Sequence, residues 1–144
     1  MMEKEHYNQE AEEAVLGAIF QEGSLLQGTI IEETHLFFEQ HRILLVTMKE
    51  LHEKELPIEI IQVVESLRRK GQLEVVGGLP FVAHISECVP NIANFKHHEN
   101  IVLEHWKTRA SIEESVKFQR AVAIEKKSGE GTNHLARYGG NTIP

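Results

Sequence analysis

The chain has 144 residues, 41% apolar and 26% charged, enough for one domain with a modest core that buries roughly 68–70% of its unfolded surface. A formal net charge of −7 argues against a general grip on nucleic acid, which shows as a basic patch or a high pI. The single cysteine, Cys88, excludes an intramolecular disulfide and is taken to exclude the common thiolate zinc sites, and no apolar run approaches the ~20 residues of a membrane span. With no signal-peptide pattern at the start, the expected compartment is the cytoplasm. The charge is uneven. Residues 1–108 hold 18 acids and nine bases, whereas residues 109–127 hold three acids and five bases.

Met1–Tyr7 is polar and is expected to fray. From Asn8 the pattern is helical, with Ala11, Ala14, Val15, Ala18 and Ile19 on one stripe. Asn8 is the expected N-cap, followed by acids that suit the helix dipole. Gly23 ends this helix, and Leu25, Leu26, Ile30 and Ile31 suggest a short second one. Thr34–Phe38 is a turn carrying two aromatics. His41–Lys54 is a strong helix with Leu44, Leu45, Met48 and Leu51 on its apolar side, and Pro57 is expected to stop it and open the next. Ile60, Ile61, Val63, Val64 and Leu67 mark that next helix.

Gly71 stands where a helix takes a left-handed terminator, and Gly77-Gly78 make a second flexible break. Leu73–Val76 is the only strand-like run, too short to anchor a sheet. Pro80 supplies a preset φ for the first turn of a short helix to Cys88. Pro90–Asn94 is a turn. No proline or glycine interrupts residues 94–127, which predicts one long helix or two broken by a bend, and residues 128–144 are read as a flexible tail.

At 100° per residue, Phe95, Val102, Trp106 and Ala110 share one side of the long helix and dock on the globular body. Ile101, Ile112 and Val116 lie within about 60° of each other on a different side. That second stripe is covered by another molecule or another part of this chain, or the helix curves and rolls its buried face. The candidate protein interface is Ile101, His105, Thr108, Ile112, Val116 and Gln119.

No Gly-x-x-x-x-Gly-Lys-Ser/Thr string occurs, so a phosphate cradle of that type is lacking from this sequence. Lys127–Thr132 has neither its spacing nor a preceding strand. The nine histidines show no ligand motif: His97 and His98 are adjacent and point about 100° apart on a helix. They are read as solvated or core-edge side chains, and no metal or cofactor is expected. Glu12-Glu13 and Glu32-Glu33 are read as exposed helix charges, His41-Arg42 as local structure, and Cys88 as a small buried apolar residue.

Several segments together resemble a known family. Glu10-Ala11-Glu12 with Val15-Leu16-Gly17, Phe37-Phe38 with His41-Arg42-Ile43, Leu56–Glu59, Gly71–Phe81, Pro90–Asn94, and Ile101–Glu104 with Arg109 follow in the order of the replicative DNA helicases of the DnaB family, amino-terminal domain only. The resemblance covers residues 8–110. It implies an all-α fold, a small orthogonal helical bundle followed by a long projecting helix. In the family, helical hairpins pair into a collar that binds primase and is contacted by some loaders, and the ATPase lies in a separate domain. This sequence departs from the pattern at His6-Tyr7-Asn8, where a proline is common, at Glu59, where an aspartate is common, and after Lys127, where the second hairpin arm is missing.

The expected organisation is a bundle over residues 8–93, a first hairpin arm over 94–127 and a tail over 128–144. The expected function is non-catalytic: oligomerisation of a replicative helicase and docking of primase or loader in a bacterial or phage-infected cell, with DNA engaged only indirectly and no membrane. The alternatives are the helicase-binding domain of a primase, a standalone regulator of helicase assembly, and a nucleic-acid module acting through Lys107, Arg109, Lys117, Arg120, Lys126 and Lys127.

Overall fold

A computed structural model describes residues 6–132, with side chains described through residue 125. All regular structure among them is helical: α1 (Gln9–Gln21), α2 (Leu25–Gly28), a 3-10 turn (Glu33–His35), α3 (Glu39–Glu53), α4 (Ile60–Arg69), α5 (Leu73–Val76), α6 (Gly78–Ser86) and α7 (Phe95–Thr132). The chain divides into two units, Met1–Lys107 and Thr108–Pro144. The first is an all-α bundle. The second, as far as it is described, is the distal part of α7.

In the first unit α1 packs against α6 and α3, α3 against α4 and α5, and α4 against α6. Leu16, Ile19, Leu44, Leu45, Met48, Val63, Leu67, Val82 and Ile85 are fully buried between them. Phe95 and Val102, from the first turns of α7, complete this core, as their shared side of the helix predicts. Asn8 caps α1 as expected, its side chain accepting the Ala11 N–H at 2.9 Å.

Helix ends explain most of the boundaries. Gly71 takes φ +72°, and the pair Gly71 N–H to Arg68 O (3.0 Å) and Gln72 N–H to Leu67 O (2.8 Å) closes α4 in a Schellman motif. The same motif ends α3, but on a non-glycine residue. Glu55 is at φ +61°, with Glu55 N–H on His52 O (3.0 Å) and Leu56 N–H on Leu51 O (2.9 Å). Thus α3 stops before Pro57 is reached, and α4 opens only at Ile60, on a Glu59 N-cap that makes no side-chain cap bond.

Other expectations shift. Ile30 and Ile31 lie outside α2, which is a single turn. Leu73–Val76 is not strand-like: it is one turn of helix, closed by Gly77 at φ +117°, and Val76 is buried. The adjacent Val75 and Val76 point to different sides of this turn, Val76 into the core and Val75 to solvent (59% exposed). Helix α6 begins at Gly78, so Pro80 occupies its third position, where an N–H has no intrahelical partner anyway. Helix α7 is helical through Thr132, so five residues of the expected tail have helical backbone; residues 133–144 lie outside the described residues.

The largest departure is Glu12. It is 1% exposed, not a surface charge. Its Oε1 lies 2.8 Å from Nδ1 of His41, itself 1% exposed, and its Oε2 accepts the Phe37 N–H at 2.7 Å. One side chain therefore ties α1 to α3 and to the aromatic turn. Arg42 completes that turn by donating to Leu36 O and Phe37 O at 2.9 and 2.7 Å.

Removing one partner of such a pair strands the other in the core. Glu12→Ala is expected to lower unfolding free energy by about 3–5 kcal/mol in urea titrations. Glu12→Gln, which keeps an acceptor, is expected to lose less. Glu55→Gly relieves the left-handed strain at an exposed position and is expected to raise stability by about 0.5–1 kcal/mol by the same measurement.

Candidate protein-interaction surface

The six residues of the expected interface fall into two environments. Ile101 and His105 belong to the first unit and are half-buried there, Ile101 packing against the bundle core. Ile101 is thus a core-edge residue. Thr108, Ile112, Val116 and Gln119 belong to the second unit and are exposed. Trp106, expected to dock on the body, is half-buried, its ring meeting His35 edge-on at a centroid distance of 4.7 Å.

Within the second unit every described side chain from residue 111 to 125 is exposed. Ile112 (43% exposed) and Val116 project about 40° apart on the helix, with Gln119 within about 20° of Ile112. Sequence reading missed that the apolar surface is wider than this stripe. Phe118 (69% exposed) and Val122 stand one turn apart on another side, and Ile124 (66% exposed) on a third. Their spacing by four residues was a readable signal for Phe118 and Val122. An exposed phenylalanine with four exposed aliphatic neighbours in one 13-residue stretch is an unusual load for a solvated helix.

The basic residues weighed for nucleic acid are scattered. Lys107, Lys117 and Arg120 are exposed, Arg109 is half-buried, and Lys107 lies 3.8 Å from Glu104. The side chains of Lys126 and Lys127 lie outside the described residues.

A second constellation sits in the first unit. Glu13 of α1, His84 of α6 and Cys88 just beyond α6 bring one ligand atom each to within 4.8 Å of one another. Glu13 Oε1 is 3.3 Å from His84 Nε2 and 3.7 Å from Cys88 Sγ, and Cys88 Sγ is 3.7 Å from His84 Nε2. Glu13, like Glu12, is not the exposed helix charge expected: its side chain is 13% exposed. Cys88 is half-buried. Burial, with the Glu13 carboxylate adding to it, pushes its thiol up to about 11. The neighbouring His98 imidazole is lowered by burial and then by His97.

The fold and its surfaces thus define a small all-helical domain whose specialised feature is apolar helix surface left bare. Residues 4–104 match the family described as DnaB-like helicase N terminal domain. The chain belongs to that family. It is 33% identical over 105 residues to the replicative DNA helicase DnaB of Buchnera aphidicola subsp. Baizongia pistaciae, covering 72% of this chain and 23% of that protein. It is 30% identical over 129 residues to DnaB of Haemophilus influenzae, covering 87% and 26%.

Among solved structures, the N-terminal domain of DnaB helicase from Mycobacterium tuberculosis superposes with a TM-score of 0.74 at 21% identity, over 81% of this chain and 83% of that one. A DnaB-like replicative helicase, described together with its interactions with primase, superposes with a TM-score of 0.70 at 24% identity, over 92% of this chain and 32% of that one. The chain spans about a quarter of the length of these curated relatives.

A thiol raised to about 11 is almost wholly protonated at neutral pH. In metal-free buffer at pH 8, Cys88 is expected to react with iodoacetamide roughly a hundredfold more slowly than free cysteine, with the rate rising toward pH 11. Glu13→Gln is expected to speed the reaction, as mass spectrometry of the alkylated chain would show.

Proposed function

We propose that this chain is a non-catalytic docking domain of a replicative DNA helicase, which associates with further copies of itself and receives primase or a loader. The observation that carries this reading is the bare apolar surface of distal α7, where Ile112, Val116, Phe118, Val122 and Ile124 are exposed. Membership of the helicase N-terminal family gives that surface a context, and a protein of the same fold is described with its interactions with primase. The working principle is burial of apolar area, about 25 cal/mol per Å² removed from water, rather than bond chemistry. Among the described residues no helix is long and apolar enough to cross a membrane. This reading puts the domain in the cytoplasm of a bacterial or phage-infected cell, with DNA contacted only through the assembly.

The exposed side chains of Ile112 and Val116 support self-association, because a second copy offers the same residues across a two-fold axis. Wild-type chain is expected to sediment as a dimer or larger species. The double variant Ile112→Glu, Val116→Glu is expected to sediment as a monomer with an unchanged helical circular-dichroism spectrum. A monomeric wild type, or a variant that associates as before, would overturn the pairing. Pull-downs against purified helicase and purified primase, run separately, distinguish a helicase domain from the related domain of a primase.

A further inference from the structure

We propose that Glu13, His84 and Cys88 form a binding site for a divalent metal ion of the zinc type, with the fourth coordination position open to solvent. A tetrahedral zinc ion with ordinary bonds to nitrogen, oxygen and sulfur sets its ligands about 3.4 Å apart for nitrogen and oxygen, and about 3.6 Å apart for sulfur and either of the others. The three atoms here stand at 3.3, 3.7 and 3.7 Å. They already mark one face of that tetrahedron, and an ion placed behind it needs only small side-chain adjustments.

The scaffold holds them there. His84 and Cys88 are four residues apart, and the turn carries on past α6 through Glu87 N–H to His84 O and Cys88 N–H to Ile85 O, both 3.1 Å. Glu13 faces them from α1, with its other oxygen taken by Gln9 Nε2 at 3.0 Å. Gly17, one turn beyond Glu13, is what lets the two elements approach. A Cβ there would come within 2.8 Å of Ile85 O and 3.3 Å of Cys88 Cβ. The close contact at Gly17 therefore fixes the distance across which Glu13 meets its partners.

The donor set selects the ion. One thiolate, one imidazole and one carboxylate suit zinc, whereas magnesium and calcium prefer all-oxygen shells. A thiolate and a carboxylate together neutralise a divalent cation, and the displaced thiol proton leaves to solvent. The triad opens on a cavity of about 580 Å³ that Glu10, Glu87 and His98 also line, room for a water as the fourth ligand.

Cobalt(II) reports this geometry directly. Titrating cobalt(II) chloride into the full metal-free chain is expected to give a thiolate-to-cobalt charge-transfer band and intense tetrahedral visible bands, saturating at one equivalent and bleached by added zinc. Cys88→Ser is expected to abolish the charge-transfer band. His84→Ala and Glu13→Gln are each expected to weaken binding at least tenfold, while His97→Ala leaves it unchanged. Circular-dichroism melts in metal-free buffer check that each variant folds, and zinc is expected to raise the melting temperature of wild type but not of Cys88→Ser. Absence of the band in folded wild type, its survival in Cys88→Ser, or equal affinity in the His84 and Glu13 variants overturns the site.

Discussion

A carboxylate at 1% exposure is the constraint around which this bundle is built. Taking the Glu12 charge out of water carries a penalty of several kcal/mol, returned only if its oxygens find good partners. Those partners come from two places distant in sequence, the His41 ring on α3 and the Phe37 backbone N–H on the aromatic turn. Apolar contacts between helices tolerate sliding by a fraction of a turn. A short hydrogen bond between two buried polar groups does not, so this pair sets the register of α1 against α3. Around it the His41 ring lies edge-on to Phe38 and stacked near Phe81, so the polar contact is sealed by aromatic surface.

A second buried carboxylate does similar work near the start of α7. Glu99 is fully buried, its Oε2 accepting from the Thr29 hydroxyl and from the Ile30 N–H at 3.3 Å, with Lys96 Nζ at 3.6 Å from Oε1. It ties the first turns of α7 to the segment after α2. Together the two acids anchor an early and a late helix of the first unit, and Gly17 brings the end of α6 against the same α1. The apolar core then fills a frame whose registers are set by polar contacts.

The two units treat their apolar side chains differently. The first packs most of its large ones into or against its own core and leaves Ile30, Phe37, Leu56, Ile61, Val75 and Leu79 exposed. The second, as described, covers none of its five. The contrast is one of degree: the first unit has a buried apolar core, and the second, as described, has none. The proposed metal position lies wholly within the first unit, where Glu13 and the end of α6 already converge.

Local grammar was legible in the residues. Helical periodicity, the Asn8 cap, the left-handed Gly71 and the all-α class each depend on neighbours within a turn or two, and the succession of motifs carried the family. The fate of adjacent acids was not legible. Glu12 and Glu13 look alike in sequence, yet a 100° rotation aims one at His41 and the other toward His84 and Cys88. Their partners stand 29, 71 and 75 residues away. The end of α3 on Glu55 rather than Pro57 was hidden for a related reason: a non-glycine residue in the left-handed region leaves no compositional mark. Sequence alone determined the helical class, the place of most helices and the family, because short-range backbone preferences and motif order decide them. Only the tertiary structure decided which charges are buried, which apolar side chains remain bare and which ligand atoms meet, because these depend on distances between helices that no local pattern encodes.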